Sequence, residues 1–313
     1  MIKNIFAAGL AGLLLLFIVN CEKTDEPKKI SLEKRETIKK KTELPGERPV
    51  RIAVGGMITP RDGFGYYREF LDYIEEKLGR KVEYIDKEKY DEINKLMKSG
   101  DIDVAFVCSG PYVDGHREFG MELLVAPQAY GKTVYYSYII VHKDGPIKSL
   151  EELRGKKFAF TDPLSNTGKI VPDYMLSRMN ETADTFFKQY ILTYAHDKSI
   201  KAVAQGVVDG AAVDSLIWEY VNRIHPEITS KTRIVRKSSP YAIPPVVVRK
   251  GLAPALKGRL KRIFLDANRD RKGAEILKGM MVDKFVVIDD KAYDSIREMK
   301  VLLAREQMGE KGK

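Results

Sequence analysis

Cysteine and histidine are scarce in this chain of 313 residues, and their scarcity excludes several kinds of site. The two cysteines, Cys21 and Cys108, cannot form a disulfide framework or a zinc site. The four histidines are scattered, without the paired spacing that metal ligands require. They are His116, His142, His196 and His225. We therefore expect no metal and no other cofactor.

Long apolar stretches are also rare, and the mean hydropathy of −0.29 is too low for a protein with several membrane spans. Hydrophobic residues make up 44% of the chain and charged residues 31%, which is typical of a soluble globular protein. No short repeat is evident.

Positive charge is what the chain has in excess, with 54 Lys and Arg against 44 Asp and Glu and a net charge of +10. This excess favours an anionic partner such as a phosphate-like solute, a lipid headgroup or a nucleic acid. A lysine-rich surface without any such partner is the alternative.

The N-terminus carries a targeting segment. Ile5 to Val19 is uncharged and shorter than the ~20 residues that span a bilayer comfortably, and Cys21 follows at once. This arrangement resembles the lipobox of bacterial lipoproteins, in which the cysteine is lipidated and becomes the mature N-terminus. The resemblance implies a signal peptide at 1–20 and lipidation of Cys21. An uncleaved signal anchor is the alternative, because Asn20 stands where a small residue is usual.

Either alternative leaves the body of the protein in the cell envelope, tethered to the periplasmic face of a membrane. Residues 21–49 are dense in charge and end in Pro45-Gly46 and Pro49, so we expect a linker that cannot fold by itself. Its role would be to hold a globular part away from the lipid. A nucleic-acid partner is not expected for an exported protein.

From residue 50 onward, strand patterns alternate with helical patterns. Arg51 to Val54 is typical of a buried strand, and Phe70, Ile74 and Leu78 recur at helical spacing after it. The alternation continues along the chain and predicts an α/β fold with mostly parallel sheets covered by helices.

Polar clusters follow several of these strands, where ligands bind in open α/β sheets. Five such clusters contain the candidate binding residues: Thr59; Ser109 and Tyr112; Ser165, Asn166 and Thr167; His196; and Asp214.

The cluster at Ser165 is the most informative, because its hydroxyls and amide stand where a helix begins. The free N–H groups and the positive end of the helix dipole bind oxyanions there. The alternative is an ordinary helix cap, and Asp214 could cap the next helix in the same way. Ser165, His196 and Asp214 could also form a hydrolase triad, but no Gly-x-Ser-x-Gly elbow surrounds Ser165. We therefore expect no catalytic residue.

Taken together, these segments resemble the phosphate-, phosphite- and phosphonate-binding proteins of ABC importers, the PhnD-like group of periplasmic binding proteins. The resemblance runs from about Arg51 to Asn268. Five segments carry it: Gly100-Asp-Ile-Asp103-Val-Ala-Phe106 with Ser109-Gly-Pro-Tyr112; Tyr136-Ser137; Asp162-Pro-Leu-Ser165-Asn-Thr167-Gly168; His196-Asp197-Lys-Ser199-Ile200; and Val208-Asp209-Gly-Ala-Ala-Val213-Asp214-Ser215.

The resemblance implies a type II periplasmic-binding-protein fold with two α/β lobes and a ligand cleft between them. We place one lobe at 50–142 plus 245–313 and the other at 143–244, with crossings near His142 to Asp144 and Tyr241 to Pro245. In that family the turn at Ser165 cups the phosphonyl oxygens.

A histidine and an aspartate contact the ligand in some members of the family, and His196 and Asp214 match those positions. Tyr136, before a long strand, is a further candidate. The implied partners are a small phosphorus oxyanion and a membrane permease, and the implied protein is a monomer. A ligand-sensing partner of a membrane signalling protein is the alternative function.

Overall fold

The computed structural model describes residues 48–55 and 60–309. The expected signal peptide, Cys21, most of the linker and Thr59 lie outside the described residues.

The described chain alternates strands and helices. Its strands are β1 (Val50–Gly55), β2 (Val82–Lys87), β3 (Val104–Phe106), β4 (Glu122–Gln128), β5 (Val134–Tyr135), β6 (Ser137–His142), β7 (Lys157–Phe160), β8 (Gln189–Leu192), β9 (Gly210–Asp214), β10 (Thr232–Lys237), β11 (Tyr241–Ala242), β12 (Val246–Val248) and β13 (Lys284–Val286). Its α-helices are α1 (Pro60–Leu78), α2 (Tyr90–Ser99), α3 (Ser109–Phe119), α4 (Val171–Ser177), α5 (Ala183–Phe186), α6 (His196–Ala204), α7 (Ser215–Ile224), α8 (Pro226–Thr229), α9 (Pro254–Asp266), α10 (Arg271–Gly279) and α11 (Asp294–Gln307).

Two sheets divide the strands into two α/β lobes, as predicted. The first sheet has the order β13-β4-β12-β3-β1-β2, and the second has the order β10-β6-β9-β7-β8. Phe70, Phe106, Phe264 and Phe285 pack together in the core of the first lobe, with ring centroids of Phe264 and Phe285 4.9 Å apart. Phe158 and Phe187 stack at 4.3 Å in the core of the second.

The expectation of mostly parallel sheets is wrong, because both sheets are mixed. β1 runs parallel to β2 and β3, and β7 runs parallel to β8 and β9. In contrast, β12 is antiparallel to β3 and β4, and β6 is antiparallel to β9 and β10. Parallel neighbours need a long crossover connection. β6 and β12 instead enter their sheets directly from the other lobe, at the edge where the parallel strands end, and therefore run in the opposite direction.

The lobe boundary at residue 142 is also wrong, since β6 belongs to the second sheet. The chain leaves the first sheet after β4 and returns to it at β12. Between these points β5 and β11 pair in a two-stranded sheet of their own, with Tyr135 opposite Tyr241. The crossings therefore lie at about residues 129–136 and 238–245, because a strand as apolar as β6 is buried within a sheet rather than exposed between lobes.

The C-terminal helix α11 does not belong to the first lobe alone. Tyr293, Ile296 and Met299 share a core cluster with Ile170 and Val171 of the second lobe. Among the described residues, no helix is long and apolar enough to cross a membrane.

Candidate functional site

The turn after β7 positions the Ser165 cluster. Ser165 caps a π-helical turn, Asn166–Ile170, which continues without a break into α4. Its Oγ accepts a hydrogen bond from the Gly168 N–H at 3.1 Å, and its carbonyl accepts the N–H of Ile170 at 3.0 Å. Single π-turns of this kind often occur at functional sites. The side chains of Ser165, Asn166 and Thr167 are fully buried.

Gly168 is required by close packing within this turn. A Cβ at this position would lie 1.7 Å from the Oγ1 of Thr161, far inside van der Waals contact. A side chain here would therefore push the turn away from β7.

We expect Gly168→Ala to lower the free energy of unfolding by about 1–3 kcal/mol, because overpacking a buried site costs that much. Gly65→Ala is the matched control, since a Cβ at Gly65 in α1 meets nothing within 4 Å. Chemical denaturation of both variants measures the difference. Equal stabilities of the two variants would contradict the packing argument.

His196 and Asp214 reach the same turn from the starts of α6 and α7. The Asp214 backbone N–H donates to Nδ1 of His196 at 2.9 Å, so the ring proton is on Nε2. That Nε2 lies 3.5 Å from the Oγ of Ser165. Burial lowers the pKa of His196 to about 3, which keeps the imidazole neutral.

The carboxyl group of Asp214 performs one structural task and has one oxygen to spare. Its Oδ1 accepts the Leu216 N–H at 2.7 Å and caps α7, as the helix-cap interpretation predicted. Its Oδ2 is buried without a hydrogen-bond partner. Burial raises the pKa of Asp214 to about 7, against the opposing effect of N–H groups of α7.

Unpartnered polar atoms concentrate at this place. Thr167 Oγ1, Asn166 Oδ1 and Asp214 Oδ2 are all buried and lack partners, and Thr161 Oγ1 beside them does too. A buried polar group without a partner costs about 1–3 kcal/mol. Two of the four atoms lie in the Ser165 turn and the others on Thr161 and Asp214, and such a concentration indicates a ligand site. We use the name cradle for the following residues: Ser165, Asn166, Thr167, His196 and Asp214.

Two predicted residues do not reach the cradle. The Tyr112 hydroxyl donates to Asp290, and its ring packs edge-on against Tyr293, because the segment before α11 covers this face of α3. The ring of Tyr136 lies under Lys237, with the Nζ 3.7 Å from the ring centroid. In the empty protein both side chains therefore contact other residues, and their contact with a ligand stays a prediction.

Ser109 lies beside the cradle, but its hydroxyl binds the second crossing between the lobes. Its hydroxyl donates to the carbonyl of Ala242 at 2.7 Å. The next residue, Gly110, approaches the cradle closely, since a Cβ there would lie 2.2 Å from the carbonyl oxygen of Leu164. The first turn of α3 therefore closes the cradle from the first lobe.

Tyr135 takes the place expected for Tyr136. Its buried hydroxyl accepts the Nδ2 of Asn166 at 3.1 Å and lies 3.8 Å from the Sγ of Cys108. Ser137, two residues on, donates to the Thr167 carbonyl at 2.6 Å. Alternate residues of an extended chain share a face, so the position of Ser137 in the sequence pattern could have identified Tyr135.

The predicted alternative of a hydrolase triad is not formed. A triad requires a carboxylate to accept the Nδ1–H of the histidine, so that Nε2 can take the serine proton. Here Nδ1 accepts the backbone N–H of Asp214, and Nε2 already carries a proton. His196 in this tautomer cannot act as a base towards Ser165.

A cavity of about 90 Å³ opens between the lobes at Asp214. Its wall comes from α1, the end of β3, the first crossing, α7, the second crossing and the turn before β13. Burial raises the pKa of Tyr67, on this wall, to about 12, with the nearby Tyr220 and Asp214 adding to the effect. Among the described residues, no group of three or more His, Cys, Asp or Glu side chains could hold a metal ion.

Comparison with known proteins places these features in a family. Residues 57–293 match the family model described as an ABC transporter, phosphonate, periplasmic substrate-binding protein. The chain is 27% identical over 247 residues to the phosphonates-binding periplasmic protein of Escherichia coli, covering 77% of this chain and 72% of the relative.

Two solved structures share the fold. The binding protein component of an ABC phosphonate transporter from Pseudomonas aeruginosa superposes with a TM-score of 0.78 at 22% identity, over 85% of this chain and 90% of the other. PhnD1 from Prochlorococcus marinus, solved in complex with methylphosphonate, gives a TM-score of 0.74 at 19% identity, over 84% of this chain and 100% of the other.

Proposed function

Because this chain belongs to the family of periplasmic phosphonate substrate-binding proteins of ABC transporters, we propose that its cradle binds a small phosphorus oxyanion for delivery to a permease. The ligand class is phosphonate, phosphite or phosphate. The observation that carries the proposal is the set of buried, unpartnered atoms on Thr167, Asn166 and Asp214.

Neutral donors would hold the anion. The hydroxyls of Ser165 and Thr167 and the Nε2–H of His196 are buried on one side of the cradle. The first N–H groups of the helix that begins at Asn166 add the positive end of its dipole. The anion would thus exchange water for fixed dipoles rather than for a counter-charge.

Asn166 can supply a further donor by turning over its amide. As placed, Nδ2 donates to the Tyr135 hydroxyl and Oδ1 is unpartnered. A rotation of 180° would let Oδ1 accept the tyrosine proton and present Nδ2 to the anion. The amide of Asn166 therefore suits a ligand that accepts hydrogen bonds.

Asp214 would favour a ligand that can share a proton with its carboxyl group. The Asp214 carboxylate can accept a hydrogen bond from a P–OH group, or the protonated carboxyl group can donate one to a P–O⁻ group. In both cases Asp214 and the ligand share one proton. An anion that carries no proton would face a buried carboxylate with a like charge above neutral pH. We propose on these grounds that sulfate is excluded. We also propose that the protein is a binding protein rather than an enzyme, because His196 in this tautomer cannot act as a base towards Ser165.

Calorimetric titration at about pH 8 tests the proposal with phosphate, phosphite, methylphosphonate, 2-aminoethylphosphonate and sulfate. At least one phosphorus oxyanion should bind well and sulfate should not. Failure of every phosphorus compound would overturn the proposal, and equal binding of sulfate would overturn the role of Asp214.

We also propose that the protein is anchored through lipid on Cys21. We expect membrane fractions of the native host to contain the wild-type protein and the Cys21→Ser variant to lose its lipid. A mobility shift on labelling with a fatty-acid analogue measures the modification, and fractionation measures the location. Unlabelled wild-type protein would contradict lipidation, and a variant that is still membrane-bound would indicate the uncleaved anchor.

A further inference from the structure

The cavity between the lobes differs in chemistry from the cradle that it adjoins. The cradle is built of hydroxyls, an amide, an imidazole and a carboxyl group. The cavity is walled by apolar and aromatic side chains, among them Tyr66, Tyr67, Ile217, Tyr220, Met280 and Met281.

Asp214 is common to both. Its carboxyl group belongs to the cradle, and the same residue lines the cavity together with Leu216 and Ile217 of α7. We expect a substituent on the phosphorus of a cradle-bound anion to enter the cavity if it points past Asp214, the cradle residue on the cavity wall.

The cavity has room for more than one carbon atom. A water-sized group occupies about 10–15 Å³ of such volume, so about 90 Å³ holds roughly six to nine of them. The single methyl group of methylphosphonate would leave most of this space without contacts.

The described part of the wall offers no counter-charge for a charged substituent other than Asp214. Among the described residues that line the cavity, Asp214 is the only one with an Asp, Glu, Lys, Arg or His side chain. In the complex its spare oxygen is engaged by the phosphorus oxyanion. An ammonium group would thus be buried without a counter-charge, which is costly.

Backbone strain marks the rim of the cavity. Tyr130 and Met281 both have left-handed backbone conformations, with φ of 51° and 56°. The Tyr130 hydroxyl lies 3.2 Å from the Sδ of Met281. Residues other than glycine rarely adopt this conformation, and strain of this kind clusters at ligand clamps.

We infer that the site takes a phosphonate whose substituent on phosphorus is uncharged and apolar, of about four carbons or more. The inference rests on the proposed function of the cradle and adds the identity of the substituent. Phosphate and phosphite would make no contact with the apolar wall. Aminoalkyl phosphonates would bury an ammonium group without a counter-charge.

Calorimetric titration with three ligands tests the inference that the substituent is apolar. Butylphosphonate and 3-aminopropylphosphonate have the same number of non-hydrogen atoms, and methylphosphonate lacks the extended chain. Butylphosphonate should bind roughly 10- to 50-fold more tightly than methylphosphonate, from the burial of three further methylene groups. The aminopropyl compound should bind no more tightly than methylphosphonate.

A variant with a carboxylate on the wall provides the second arm. Met281 is half-buried at the rim, and Met281→Glu should reverse the preference, so that 3-aminopropylphosphonate binds more tightly than butylphosphonate. Met308→Glu, at a position that is 70% exposed outside the cavity, should leave the wild-type order unchanged.

The outcomes separate this inference from the proposed function. If methylphosphonate or phosphate binds but butylphosphonate binds no more tightly than methylphosphonate, the inference is wrong and the cradle stands. The inference is also wrong if 3-aminopropylphosphonate matches butylphosphonate in the wild type, or if Met281→Glu leaves the order unchanged. If no phosphorus oxyanion binds, the proposed function itself fails.

Discussion

Thr167→Ala should weaken phosphonate binding by on the order of 10- to 150-fold, while the empty protein unfolds at nearly the wild-type denaturant concentration. The Oγ1 of Thr167 is buried without a partner in the empty protein, so its loss removes no internal hydrogen bond. In the complex it would donate to an anion, and a hydrogen bond to a charged group contributes about 1.5–3 kcal/mol. Calorimetry measures the affinity, and chemical denaturation measures the stability.

Thr182→Ala is the matched control, because its hydroxyl has the opposite role. Thr182 caps α5 in a capping box at an exposed position, whereas Thr167 is fully buried. The control should lose about 0.5–2 kcal/mol of stability and keep its affinity. If Thr167→Ala instead lost stability and kept affinity, Thr167 would be a structural residue and the anion would bind elsewhere.

Affinity should also fall about tenfold for each pH unit above the pKa values of both Asp214 and the ligand. Burial raises the pKa of Asp214 to about 7. The complex shares one proton between this carboxyl group and the ligand. Above the pKa values of both, neither free partner carries that proton, so binding must take one up, and each pH unit costs a factor of ten.

Asp214→Asn should abolish this slope, since the carboxamide needs no proton to donate. The stability of the empty protein provides a second measurement. An aspartate with a raised native pKa contributes stability below its unfolded pKa near 3.8, and this is lost as the pH rises through about 7. The variant should lack that loss. A wild-type affinity that is constant from pH 7 to 9 would contradict the assignment.

The contribution of His196 to the stability of the empty protein changes with pH in the opposite direction to that of Asp214. Burial lowers its pKa to about 3, so its contribution to stability is present above its unfolded pKa near 6.5 and is lost as the pH falls towards 3. The two contributions oppose each other between about pH 3.8 and pH 6.5, so together they keep the stability of the empty protein nearly constant in that range and lower it on either side.

The sequence pattern identified the cradle because its chemistry follows simple rules. Ser165, His196 and Asp214 all come directly after or within two residues of strand ends or helix starts. Strands β7, β8 and β9 are mutually parallel, so their carboxyl ends meet at one edge. The helix-cap pattern, the positions of the strand ends and the family resemblance all indicate the same turn as the ligand site.

The residues that escaped prediction depend on side-chain direction. Tyr135 and Tyr136 are neighbours in the chain, yet only Tyr135 faces the cradle. Sequence patterns resolve such a pair only when a second residue on the same face is known, and Ser137, which contacts the Thr167 carbonyl, is that residue here. Tyr112 is predicted to lie in the cleft because it follows the predicted strand that ends at Val107. Sequence patterns do not reveal its partner Asp290, which lies 178 positions away in the chain.

The motif around Asp103 shows that a family resemblance can also reflect architecture. Asp103 is 2% exposed and accepts hydrogen bonds from Arg48 at 2.7 and 2.8 Å and from the Nε of Arg249 at 2.9 Å. It therefore joins the start of β1 to the end of β12. Its place in the motif reflects how the first lobe is assembled, and it has no part in the cradle.

A crystal structure of the protein grown with methylphosphonate tests the central claim most directly. We expect the phosphonyl oxygens to lie at about 2.5–3.0 Å from the hydroxyl of Thr167 and the spare carboxyl oxygen of Asp214, with the methyl group directed into the cavity. A phosphonate bound away from both side chains, with Thr167 and Asp214 still unpartnered, would contradict it.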